Sequence, residues 1–134
     1  MNSRKFFLGA LAALVVGFPL SGLWHVLLMG DFYEASATGG MRETPLFAFI
    51  ILGYAVVALI MSYMYPKGYE GGSPAIEGLK FGAIIGLLWW FPTNLVLYGA
   101  DGGPFSLVIV DGAWHVVEEG LAGLALGLVY GRSE

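Results

Sequence analysis

His115 and Glu119 stand four residues apart in an otherwise apolar stretch, with Asp111 one turn before them and Glu118 alongside. Residues three and four apart are neighbours on a helix surface, so these side chains share one broad face. Imidazole and carboxylate in that arrangement can hold a metal ion, take up a proton or hydrogen-bond a small polar ligand. Glu118 is turned about 100 degrees from Glu119, so the ridge itself carries His115 and Glu119. The other histidine, His25, closes a four-residue series in the first apolar stretch: Gly9, Ala13, Gly17, Ser21, His25. A further series runs Gly78, Gly82, Gly86, Trp90, Asn94, Tyr98. The candidate ligand-binding set is therefore His25, Trp90, Asn94, His115, Glu118 and Glu119, with His115 and Glu119 as candidate metal ligands. Asp111, followed by Gly112, interrupts the fourth apolar stretch and reads instead as structural, either exposed at the interface or the N-cap of a helix ending at Tyr130, an alternative that leaves 105–110 as a re-entrant or interfacial segment.

Four apolar stretches must position these groups: residues 6–29, 46–65, 76–98 and 105–130. Each has about the 20 residues needed to cross roughly 30 Å of hydrocarbon. The whole chain of 134 residues is 57% hydrophobic and only 12% charged, against about 25% charged in an ordinary soluble domain. A fold of this size would have too little polar surface to face water. The sequence predicts one all-α transmembrane domain over residues 1–134, an up-down-up-down four-helix bundle. The first stretch is too long for the usual signal-peptide core of about 7 to 15 residues, so it is read as a span.

Lysine and arginine give the orientation. With the N-terminus inside, Arg4, Lys5, Lys67, Lys80 and Arg132 share the cytoplasmic side and Arg42 alone lies outside, together with Asp31, Glu34, Glu43 and Asp101. Five against one follows the positive-inside rule and puts both termini in the cytoplasm, in a cell inner (cytoplasmic) membrane. In that orientation the small residues of all three series occupy the inner half, counting His115, Glu119, Gly123, Gly127, Gly131 as the third. Small residues let membrane helices approach closely, so the bundle should be tight inside and splayed outside. Pro19 and Pro92 each remove a helix hydrogen bond and should widen the outer half further. An ionised carboxylate near the bilayer centre is expensive, and Glu119 lies about 16 Å along the helix from Tyr130. Its face must therefore look into the bundle, toward an outward-facing polar pocket.

The run Trp89-Trp90-Phe91-Pro92-Thr93-Asn94, followed after a short loop by Val110-Asp111-Gly112-Ala113-Trp114-His115, resembles a family of short bacterial membrane proteins known as domain of unknown function 1761. The resemblance covers most of the chain and implies four membrane helices without an assigned activity. His25 stands where that family suggests an aromatic residue, and Glu118-Glu119 departs from its pattern.

Composition also excludes functions. Six Lys+Arg against ten Asp+Glu, with no basic cluster, argue against nucleic-acid binding. No cysteine means no thiolate metal site and no cysteine nucleophile. No Ser-His-Asp arrangement is visible, which argues against an enzyme of that kind. The leading expectation is a small integral membrane protein whose intramembrane pocket binds or conducts a cation, proton or small polar ligand. A haem- or pigment-binding subunit using His25 and His115 is the second, and an accessory subunit packed on a larger membrane complex, or a homo-oligomer, the third.

Overall fold

The computed structural model describes residues 2–37, 42 and 44–131, so Glu43 and Arg132 of the charge argument lie outside the described residues. Regular structure among the described residues is entirely helical. Helix α1, Ser3–Gly22, continues into a π-helical turn, Leu23–Leu28; α2, Gly30–Ser36, is short; α3 is Phe47–Gly68, α4 Pro74–Asp101 and α5 Phe105–Tyr130. Among the described residues, three helical stretches are long and apolar enough to cross a membrane: Ser3–Leu28, Phe47–Gly68 and Pro74–Ala100. The fourth long helix, α5, has the length but carries Asp111, Glu118 and Glu119.

Those acids explain where α5 sits. It packs along α4 on one side and α1 on the other, and α3 packs on α1 while reaching α5 through Tyr54 on Glu118 and Ser62 on Tyr130. Twelve residues of α5 are buried, including all three acids and His115. The large exposed side chains instead belong mainly to α1, α3 and α4, among them Val15, Phe49, Leu52, Ile84 and Val96. This apolar exterior suits lipid, which solvates it without cost, and it shields the polar helix.

Glycine sets the closest contact. A β-carbon at Gly78 would strike the Gly123 carbonyl, one at Gly82 the Glu119 carbonyl, and one at Gly86 the His115 carbonyl. The α4 ridge therefore lies directly on the α5 backbone, and the two glycine series are spent on each other. On α1, the buried Gly9, Ala10, Ala13 and Gly17 form the matching small face.

At the end of the bundle where α5 finishes, a polar network replaces a missing hydrogen bond. Pro66 has no amide hydrogen, so the Ser62 carbonyl one turn earlier loses its helical donor. Tyr130 Oη donates to that carbonyl at 2.6 Å, and Ser62 Oγ in turn donates to the Phe6 carbonyl at 2.7 Å. Tyr130→Phe should destabilise the fold by about 1–3 kcal/mol, because it leaves a buried acceptor unpaired. Pro66→Ala restores the amide and should recover much of that loss in the double variant, read as thermal melting in detergent. Equal destabilisation with and without Pro66→Ala would show that the Tyr130 hydroxyl acts otherwise.

Two sequence expectations change. The stretch after residue 29, read as an outer loop, begins with α2. Asp111 does not cap a helix: α5 starts at Phe105 after Pro104 and runs through Asp111 without a break. The adjoining Gly112 serves packing, since a β-carbon there would lie 2.7 Å from the Phe91 ring of α4. A continuous, well-packed helix then carries Asp111 into the interior.

Candidate functional site

The π-helical turn follows Pro19 and Gly22 in sequence and is the local distortion that presents His25. A π turn shifts helix bonds from the fourth to the fifth residue, seen here as the Met29 amide donating to the Trp24 carbonyl at 2.8 Å. His25 Nδ1 then lies 2.9 Å from the Ser21 carbonyl, so the imidazole is held by its own helix. Its Nε2 lies 2.9 Å from Asp111 Oδ1 on α5. One turn further along α5, His115 completes a group in which one ligand-type atom from each of His25, Asp111 and His115 lies within 4.8 Å of the others.

Asp111 is almost fully buried and receives a second donor. Tyr33 Oη of α2 donates to Asp111 Oδ1 at 2.5 Å, and Trp24 Nε1 donates to Tyr33 Oη at 3.0 Å. Burial, and then this bond to Asp111, push the Tyr33 phenol pKa up, so it stays a donor at neutral pH. Short helix α2 thus folds back to close one end of the site.

Glu118 supports the group from behind. Tyr54 Oη donates to its Oε1 at 2.7 Å and Trp114 Nε1 to its Oε2 at 2.6 Å. Trp114 is itself stacked on Trp24, with ring centroids 4.4 Å apart. Glu118 Oε1 faces His115 Nδ1 at 3.8 Å, beyond hydrogen-bond length, and that nitrogen is buried without a partner among the described residues. A carboxylate or carbonyl on the far nitrogen of an imidazole is the usual outer-shell arrangement of a metal-binding histidine. Here the Ser21 carbonyl holds that place for His25, whereas Glu118 faces His115 without bonding it.

The sequence candidates separate accordingly. His25 and His115 meet, but the carboxylate between them is Asp111. Glu119, though buried, stands one turn away, with its Oε1 4.0 Å from where a β-carbon on Gly17 would lie. Glu118 stands behind His115. Trp90 packs its ring on His115 with centroids 4.6 Å apart. Asn94 turns back on its own helix, donating to the Trp90 carbonyl at 3.0 Å. Sequence reasoning passed over Asp111, Tyr33, Ser21 and Tyr54 as site residues. The available signal was the spacing of Asp111, which extends the ridge of His115, Glu119 and Gly123 by one turn.

Comparison of the chain with protein-family models, with curated proteins and with solved structures finds no match. The functional reading therefore rests on the residues themselves.

Proposed function

We propose that this chain is a multi-pass inner-membrane protein whose α1, α3, α4 and α5 cross the bilayer as a four-helix bundle with both termini cytoplasmic. In its outer half it binds a divalent transition-metal cation on His25, Asp111 and His115. The observation that carries this reading is the convergence of the three ligand-type atoms within 4.8 Å from two different helices. Charge supports a cation: Asp111, Glu118 and Glu119 are all buried on α5, and Lys5 Nζ bonds the Tyr130 carbonyl at 2.6 Å at the other end of that helix.

Two imidazoles and one carboxylate suit zinc or a neighbouring first-row ion better than calcium or magnesium, which prefer oxygen alone. Three protein ligands would leave a fourth position open. Binding is better supported than conduction, because Met61, Ala122 and Leu126 fill the core toward the cytoplasm. Haem has less in its favour, since a macrocycle between His25 and His115 would have to break the contact of His25 with Asp111. The glycine ridges, already occupied within the chain, give no separate argument for a larger complex.

Zinc titration of chelator-stripped protein tests the proposal. One ion should bind per chain, and His25→Ala and His115→Ala should each abolish that binding. Absence of zinc binding, or zinc binding that survives both substitutions, would remove the metal reading.

A further inference from the structure

Two sides of the His25, Asp111 and His115 group decide how a cation could reach it. On one, a cleft of about 310 Å³ between α1, α3 and α4 includes both histidines in its lining, but its rim is apolar: Val26, Phe47 and Ile50 are 68%, 59% and 40% exposed. In the membrane-spanning reading that rim meets lipid, through which a hydrated cation does not travel. On the other side lies α2. It begins two residues after Leu28, the last residue of the first apolar span, so in the same reading it lies at the water boundary.

Helix α2 is tied down mainly by one hydroxyl. None of its seven residues is buried, and it packs chiefly on the π turn that precedes it. Elements with so little buried apolar surface open at low cost. Tyr33 supplies the tie to α5: its Oη donates to Asp111 Oδ1, the same oxygen that faces His25 Nε2, and its ring lies 4.7 Å from the His25 ring, centroid to centroid. Tyr33 therefore sits on the carboxylate oxygen that a cation has to reach. Between the π turn and α2, Met29 has φ −123° and ψ 16°, outside the helical region, and Gly30 follows. A non-helical residue beside a glycine, where two helical segments meet, can absorb a backbone rotation.

We infer that α2 is a hinged lid, latched by the Tyr33 hydroxyl on Asp111, that turns at Met29 and Gly30 to open the water side of the His25, Asp111 and His115 group to a cation. This rests on the metal reading above for what passes the lid, but not for the motion itself. A permanent cap would hold its place by burying an apolar face against the bundle, and α2 buries none. A latch made of one hydrogen bond can instead be broken and remade at each exchange of the ion.

Two measurements on the full chain in lipid nanodiscs test it. Hydrogen exchange of the metal-free protein reads the motion, because a helix of seven residues is not stable alone in water and loses its amide protection when it leaves the bundle. Tyr33→Phe keeps the ring beside His25 but removes the latch, and should speed exchange over residues 30–36 about tenfold while leaving α3 unchanged. Stopped-flow zinc uptake, in competition with a zinc-binding dye, reads the gating and should quicken by a similar factor in Tyr33→Phe. Gly30→Ala narrows the freedom of the hinge, and its β-carbon would lie at an ordinary 3.8 Å from the His25 carbonyl, so uptake should slow about two- to fivefold. If Tyr33 only positions Asp111, Tyr33→Phe will speed zinc release without speeding uptake. That result, or unchanged exchange over α2, would overturn the lid. Zinc binding absent from the unsubstituted chain, with exchange over α2 raised in Tyr33→Phe, would remove the metal reading and leave the moving lid in place.

Discussion

Gly82→Ala is expected to unseat α4 from α5, with a loss of about 2–3 kcal/mol or more, although it adds a single methyl group. Alanine favours a helix over glycine by up to about 1 kcal/mol, so propensity alone predicts the opposite sign. The added carbon, however, would strike the Glu119 carbonyl and lie 3.0 Å from the Gly123 Cα. Both obstacles are backbone, which cannot rotate away as a side chain can, and overpacking a tight contact typically costs about 1–3 kcal/mol. Relief requires α4 to move off α5, which would also pull Gly86 away from His115 and disturb the site. Gly53→Ala is the matched control, because a β-carbon at Gly53 meets nothing within 4 Å. Thermal melting in detergent should show a large drop for Gly82→Ala and no loss for Gly53→Ala. Equal behaviour of the two variants would mean that the α4–α5 contact is looser than these positions imply.

That contact was legible in the sequence because its cause is periodic. Gly78, Gly82 and Gly86 at four-residue spacing, opposite Gly123 and Gly127, describe two backbones in contact, and only residue size and helix geometry are needed to see it. The four long apolar stretches were legible for the same kind of reason and fold as α1, α3, α4 and α5. Pro66 is different. Its consequence, a free Ser62 carbonyl, is local and readable, but the hydroxyl that satisfies it comes from Tyr130 at the other end of the chain.

The site was only half legible. His25 and His115 stood out as ionisable groups in apolar surroundings, which marks functional positions in membrane segments. Asp111 was obscured by the glycine after it, since Asp-Gly normally reads as an interruption or a cap. What decides its role is Phe91, which needs the space at Gly112 and leaves the helix intact. Four-residue spacing points to Glu119 rather than Glu118, because it follows a single direction on the helix. In the structure both are buried, and Tyr54 and Trp114 give Glu118 the partners that Glu119 lacks among the described residues. The π turn that aims His25 had no sequence signature beyond Pro19 and Gly22, and the fold of α2 over the site depends on one hydroxyl, Tyr33.

Asp111 is therefore the position at which substitution should separate ligand binding from mere stability. Asp111→Asn keeps the size and one carbonyl oxygen, which can still accept from Tyr33, but removes the charge and the anionic donor that a cation requires. Zinc affinity should fall by more than the roughly 10–100-fold that changes behind a metal ligand produce. Glu118→Gln supplies the comparison. It alters the group facing His115 Nδ1 at 3.8 Å without touching the three proposed ligands, so its effect should stay within that range. An amide has one acceptor oxygen where the carboxylate has two, so Glu118→Gln also loses one of the hydrogen bonds from Tyr54 and Trp114 and should destabilise the fold by about 1–2 kcal/mol. The two variants should thus rank in opposite order, Asp111→Asn harming zinc binding more and Glu118→Gln harming melting more when no metal is added. If Glu118→Gln abolishes zinc binding while Asp111→Asn retains it, the carboxylate that holds the ion is Glu118, and the ligand set proposed here is wrong.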